Sequence, residues 1–308
     1  MALIVFFSAK GAPGTTTTAL LTAALWPRPA LVIDCDPAGG DVALRMPAPD
    51  GRPLDVERGL LTLLPLARRS VDPPALLQHA QQVMGGTDIV AGLPGPEQAT
   101  AAGPGPWLNL AEAFSALYSH DVIVDLGRLD SASPVLPILF AADIALCVTT
   151  TNLSHVVATR TRLASLQNAL EMRQGERRTS LGFVVRGEQK SEVASAVSAL
   201  TSQDRLLNYL GHIAEDSRAA AMFDGRPILR PERTVLVRSG REVTENIQRQ
   251  LSGDTYATSA ALASEVVFPV NNWLSSPQTS QADLVSPSAA GKAPGRRRAE
   301  THRRSRRS

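Results

Sequence analysis

The sequence predicts an α/β fold: an open, mostly parallel sheet with helices on both faces, followed by a basic C-terminal tail expected to be disordered. Three observations lead there. Short aliphatic runs alternate with longer stretches of helical period across residues 1–252. A glycine-containing turn, Ser8 to Gly14, joins the first apolar run to the first helical stretch. Two further apolar runs end in carboxylates, Asp34 and Asp36 in one and Asp125 in the other, where an open parallel sheet places its ligand chemistry. Residues 1–252 read as one domain, and residues 253–308 as a Ser/Pro/Ala-rich linker with an Arg-rich end.

Composition narrows the class. With 308 residues, 44% hydrophobic and 19% charged, the chain can bury a sizeable core. Its two cysteines, Cys35 and Cys147, each lie inside an apolar run, so buried free thiols in a reducing compartment are expected rather than a disulfide. No Cys/His cluster has metal-ligand spacing. The run Ala2 to Phe7 is too short for a signal-peptide core and no apolar run reaches membrane-spanning length, so a cytoplasmic protein is expected. The net charge of +2 hides an asymmetry: residues 292–308 hold eight of the 31 Lys/Arg and one of the 29 acids, leaving a body of net −5.

Taken in order, Ala2 to Phe7 is a buried strand and Thr16 to Trp26 a helix that stops at Pro27. Ala30 to Cys35 is a second strand, broken by Pro37 and Gly39-Gly40. Leu60, Leu61, Leu63, Leu64 and Leu66 suggest a buried helix kinked or shortened by Pro65, and Pro73-Pro74 open another that runs through Val83. Ile89 to Leu93 is a short strand. The stretch Pro94 to Pro106 has no hydrophobic period and is expected to be a loop. Trp107 to Tyr118 is helical, Val122 to Asp125 a strand and Ala142 to Thr150 another. Val156, Thr159, Leu163, Leu166 and Leu170 form one helical face; Leu181 to Arg186 is a strand; Val193, Val197 and Leu200, then Val243, Ile247 and Leu251, mark two more helices. The lone histidines His155 and His212 read as structural.

Strand, glycine loop and helix form the context of a phosphate cradle, in which backbone N–H groups and the positive helix end point at one anion. A strict P-loop reads G-x-x-x-x-G-K-[ST]; here Ala9 stands at the first Gly and Thr15 at the Lys. The stretch Lys10-Gly11-Ala12-Pro13-Gly14-Thr15-Thr16-Thr17 resembles instead the deviant P-loop of the ParA/MinD family of ATPases, K-G-G-x-G-K-[ST]-T. Lys10, Gly11, Gly14, Thr16 and Thr17 fall on that pattern, while Ala12 replaces its second Gly and Thr15 its loop lysine. Asp34-Cys35-Asp36-Pro37 is similar to the family's D-x-D-P motif, followed by the switch-like Gly39-Gly40-Asp41; Val122 to Gly127 resembles a Walker B strand. Leu210 to Asp216 is similar to the family's G-x-I-P-E-D turn, with Ala214 for Pro. The Gly39–Asp41 and Leu93–Pro96 stretches look most like the MinD and pilus-assembly (CpaE/TadZ-like) branch.

The resemblance implies a P-loop NTPase-like fold over residues 1–250 and an ATP- and Mg2+-dependent homodimer that positions DNA, division machinery or a pilus or secretion apparatus. It implies nucleotide contacts from Lys10, Gly11, Ala12, Pro13, Gly14, Thr15, Thr16 and Thr17, a metal shell from Thr16 and Asp125, and catalytic parts for Lys10, reaching across the dimer, and Asp36, positioning water. Gly127 would allow close backbone approach to phosphate. The family residue ending the strand at Arg186 contacts adenine and is often Asn; an arginine can stack on a base but lacks the amide's hydrogen-bond pattern.

Two function classes follow: a nucleotide switch with weakened ATP binding and hydrolysis, or a pseudo-ATPase scaffold that keeps fold and dimer surface. Loss of the loop lysine is expected to weaken ATP roughly ten- to a hundredfold, because a charge-assisted hydrogen bond contributes roughly 1.5–3 kcal/mol. Two separated cysteines disfavour a cluster-bearing reductase. The arginine-rich tail has no interleaved aromatic and no apolar face, so any contact to DNA or an anionic membrane would be electrostatic, placing the protein at nucleoid or membrane periphery.

Overall fold

The structure, a computed structural model, describes residues 1–11, 13–173, 179–202 and 207–253. Ala12 and the tail lie outside the described residues, and so does the disorder expected of residues 254–308.

Strand β1 (Leu3–Ser8) is buried at every residue. Helix α1 (Thr15–Ala24) follows the glycine turn and closes just before Pro27. It starts with four threonines, poor helix formers. One of them, Thr18, and the later Thr22 return their hydroxyls to the turn before: Thr18 Oγ1 donates to the Gly14 carbonyl at 2.9 Å and Thr22 Oγ1 to that of Thr18 at 2.8 Å. These bonds let hydroxyls be buried against the sheet. Strand β2 (Ala30–Asp34), the short α2 (Val42–Arg45) and α3 (Leu60–Leu66) come next. Pro65 sits inside α3, and a 3-10 turn over Pro73–His79 starts on two prolines, as their fixed φ favours. Strands β3 (Gln81–Gln82) and β4 (Asp88–Val90) follow.

The expected loop over 94–106 is instead two helices, α4 (Pro96–Ala102) and α5 (Pro104–Ala116). Each carries proline in its first turn, where the missing N–H costs nothing, and alanine fills α4. The prolines that read as breakers are starters. After them run β5 (Asp121–Arg128), α6 (Leu136–Ala141), β6 (Ile144–Thr150), α7 (Leu153–Met172), β7 (Ser180–Gly187), α8 (Lys190–Thr201), β8 (Asn208–Ala214), α9 (Ser217–Ala220) and α10 (Val235–Ser252).

Among the described residues eight strands form one sheet in the order β3-β4-β2-β5-β1-β6-β7-β8. Every pairing is parallel except the edge pair β3–β4. Side chains alternate across it. Leu3, Val5 and Phe7 join Val122, Val124, Cys147 and Phe183 under α3 to α8, in a cluster that includes Trp107 and Phe114. Ile4 and Phe6 join Ile123, Leu146 and Val184 on the opposite face, under α1 and α10. This is the P-loop NTPase-like arrangement, with helices on both faces. Both cysteines are free and buried, as expected, and burial pushes the Cys147 thiol up to about 12.

At the N-terminal ends of the strands a buried carboxylate ties several elements together. Asp121 accepts from the Ala2 amide at 2.7 Å and the Trp26 indole at 2.7 Å, and pairs with Arg28 at 2.7 Å. Asp143 accepts from the Leu3 amide at 2.8 Å. Asp121→Ala would leave two buried donors unmet and remove a partner of Arg28. It is expected to lower stability by about 3 kcal/mol in urea denaturation, with Asp121→Asn losing less. A loss below about 1 kcal/mol for the alanine variant would mean that water restores those bonds.

Candidate functional site

Of the predicted site residues, Thr16 and Asp125 meet at the C-terminal end of the sheet, Asp36 and Arg186 lie beside them, and Ala12 is outside the described residues. β1 lies between β5 and β6, and the chain goes to one side of it for β2 and to the other for β6 to β8. An open α/β sheet binds ligands at such a switch point. The loop leaving β1 turns on Gly14, whose φ of 84° is left-handed and which serves as the N-cap of α1 without any side-chain cap. The first intrahelical bond runs from the Thr18 amide to the Gly14 carbonyl at 2.9 Å, so the amides of Thr15, Thr16 and Thr17 precede the helical ladder. No acid stands in the first turn. Thr15 is 5% exposed and its hydroxyl has no hydrogen-bond partner among the described residues. Together these make a helix end built for an anion.

The carboxylates stand beside it. Asp125 of β5 is in register with Asp34 of β2. Its Oδ2 accepts from Thr16 Oγ1 at 2.5 Å and its Oδ1 from the Gly127 amide at 2.8 Å. Asp34 accepts from the Asp36 amide through Oδ1, at 3.3 Å, and its buried Oδ2 has no partner. The Asp36 carboxylate accepts from the Ala38 amide at 2.8 Å. Gly127, at φ 57°, packs so tightly against that carboxylate that a Cβ would overlap it. The close approach visible at Gly127 is therefore of Asp36.

Burial pushes Asp34 well above the usual carboxylate range, and the Asp125 charge adds to it. Burial lifts Asp125 to about 6, although Thr16 and Gly127 pull the other way by hydrogen bonding. Asp36 is raised by burial too, and Asp41 adds to that. Among the described residues no three His, Cys, Asp or Glu side chains form a ready metal cage. Thr16 and Asp125 supply one hydroxyl and one carboxylate, a donor set that fits Mg2+, which prefers one or two carboxylates with phosphate oxygens and water over an all-protein cage.

The two cations of the predicted site are placed differently from one another. Lys10 is exposed and forms no ion pair among the described residues. Arg186, at the end of β7, reaches over to the loop: its Nη1 donates to the Pro13 carbonyl at 2.7 Å and its guanidinium covers the α-carbon of Gly14. His155, read as structural, lies on α7 with its ring against Gly11 and its Nδ1 3.0 Å from Thr150 Oγ1. The sequence signal for its position was the polar run Thr149-Thr150-Thr151-Asn152 after a buried strand; Asn152 caps α7 by accepting from the Ser154 amide at 2.9 Å. Asp41 pairs with Arg45 at 3.3 Å, and Arg45 with Asp224 at 2.8 Å, holding the segment after β2 against the turn after α9.

Solved structures share this fold. The septum site-determining protein MinD of Pyrococcus horikoshii, complexed with Mg-ADP, is 20% identical, with 83% of this chain and 99% of that one covered and a TM-score of 0.59. A putative plasmid partition protein of Borrelia burgdorferi bound to AMPPNP is 16% identical, covering 81% and 99%, with a TM-score of 0.58. MinD in the MinC:MinD cell division complex of Aquifex aeolicus is 18% identical, covering 80% and 96%, with a TM-score of 0.51. No protein-family model matches the sequence, and no curated protein matches it.

The raised carboxylates make a pH prediction. An acid whose folded pKa lies above its unfolded value is held protonated by the fold. Its contribution is therefore most favourable below about pH 4 and is lost as pH rises through about 6. Asp125→Asn should gain stability relative to the wild type over that interval, on the order of 2 kcal/mol by pH 7. Urea denaturation from pH 4 to 7 without added Mg2+ measures this, and parallel profiles for the two proteins would assign the titration to Asp34 or Asp36.

Proposed function

We propose that the chain is a nucleotide-dependent dimerising switch of the ParA/MinD type, acting in spatial positioning, with weakened ATP binding and hydrolysis. The observation that carries this reading is the uncapped start of α1 beside the 2.5 Å Thr16–Asp125 pair, on a fold shared with nucleotide-bound proteins of that kind. The amides of Gly14 to Thr17 cradle the phosphates of ATP. Thr16 and Asp125 hold Mg2+, which when bound offsets phosphate charge. Asp36 orients the attacking water; burial raises its carboxyl above the ordinary value. Lys10, exposed on the loop, reaches the nucleotide of a second copy and makes closure depend on it.

The same reading assigns the protein to the cytoplasm, with its Arg-rich end giving weak, sequence-independent adhesion to DNA or an anionic membrane. Its protein partner belongs to a division, partition, pilus or secretion system. The Gly39–Asp41 and Leu93–Pro96 stretches favour the MinD and pilus-assembly branch. The pseudo-ATPase reading is favoured by one observation: Thr15 removes the charge that a P-loop places at the phosphates.

ATP titration of the purified protein in Mg2+ separates the two. Thr15→Lys should tighten binding about ten- to a hundredfold, the worth of one charge-assisted hydrogen bond. If neither protein binds millimolar ATP, the scaffold reading replaces the switch. Lys10→Ala should abolish ATP-dependent dimerisation in light scattering while leaving the thermal transition in place. A dimer that persists in that variant takes Lys10 out of the mechanism.

A further inference from the structure

Arg186 is in an unusual electrostatic position. It ends β7, two strands away from β1, yet its side chain crosses to the loop that β1 feeds. A guanidinium carries five N–H donors and matches phosphate oxygens in pairs. Here one nitrogen donates to the neutral Pro13 carbonyl, and the buried Nε has no acceptor among the described residues. The acid whose charge bears on it is Glu215, which is exposed and makes no ion pair with it within 4.0 Å. Desolvation outweighs that acid and pushes the Arg186 pKa down. A half-buried cation with donors to spare is costly unless an anion completes it.

The loop beneath supplies the reason. Where a P-loop has lysine, Thr15 is buried with an unpartnered hydroxyl, so the α1 end faces its anion without a cation of its own. The guanidinium rests on Gly14, the residue immediately before Thr15. We infer that Arg186 supplies in space the phosphate-binding cation that Thr15 removes from the sequence, and that the ligand is recognised by its polyphosphate rather than by its base. This rests on the nucleotide-site reading above and gives that site its specificity. In the ligand-free arrangement the Pro13 carbonyl holds the guanidinium in place; a polyphosphate offers it a stronger, charged acceptor. The strand end that would read adenine with an amide instead carries a group with donors alone.

The test uses ATP, GTP and inorganic tripolyphosphate, each with Mg2+, titrated into the full chain and into Arg186→Gln, Arg186→Lys, Thr15→Lys and the Thr15→Lys/Arg186→Gln double variant. Thermal melts confirm that each is folded. The wild type should bind all three probes within about threefold of one another. Arg186→Gln should weaken each at least about tenfold, Arg186→Lys should stay close to wild type, and the double variant should recover binding because lysine restores the charge in the loop. Unchanged binding by Arg186→Gln overturns the inference and leaves the switch standing. Tighter binding by that variant overturns it as well, by making the guanidinium an obstruction. A marked preference for ATP over tripolyphosphate overturns the specificity claim. If the wild type binds no probe but Thr15→Lys binds ATP, Arg186 is not the missing cation. If no variant binds any probe, the nucleotide-site reading itself fails.

Discussion

The structure depends on β1 being buried on both faces and paired on both edges. Its residues Leu3 to Ser8 are enclosed by β5 and β6 in parallel register and by one helix layer on each side. With both backbone edges committed to ladders, the strand cannot slip without exposing an apolar face. Its position fixes where the next residues must turn. The glycine loop therefore emerges at the centre of the sheet, where chain direction reverses, and α1 leaves from there. At the far end of the strands, Asp121 and Asp143 anchor the amides of Ala2 and Leu3, so the start of the strand is held by charge-assisted bonds as well as by packing.

From that constraint the site inherits a conflict of charge. Parallel register brings Asp34 and Asp125 side by side at the sheet's C-terminal end, with Asp36 close behind. Burial makes both resist ionising, and neighbouring charge adds to it, from Asp125 on Asp34 and from Asp36 and Asp41 on Asp125. Opposing them are an uncapped helix end and the guanidinium of Arg186. Lys10 remains in solvent. The arrangement lacks the cation that a lysine at position 15 would add, yet keeps the backbone geometry that such a lysine would serve.

Legibility in the sequence followed the range of the forces involved. Strands and helices with clear apolar periods were read correctly because burial acts on each face locally: the face Val156, Thr159, Leu163 and Leu166 is the buried face of α7. The stretch 94–106 was misread because proline is ambiguous. It breaks a helix from within and starts one at the first turn, and only the surrounding packing, with Ala99 and Trp107 in the core, selects the second use. The short α2 and α6 were not foreseen at all; four to six residues carry too little period to register.

The sequence by itself determined the α/β class and the place of the loop in the chain, since apolar period and glycine spacing are local signals tied to backbone chemistry; that Thr16 and Asp125 belong together was implied only by the family resemblance. Tertiary structure decided what those signals meet. It set Asp34 beside Asp125 through strand register, brought His155 to Gly11 from the start of α7, and carried Arg186 across β6 to cover Gly14. These are contacts between residues separated by up to 173 positions, and no period or motif encodes them. They follow from the order of strands in the sheet, which is fixed by how the whole set of apolar faces can be buried at once.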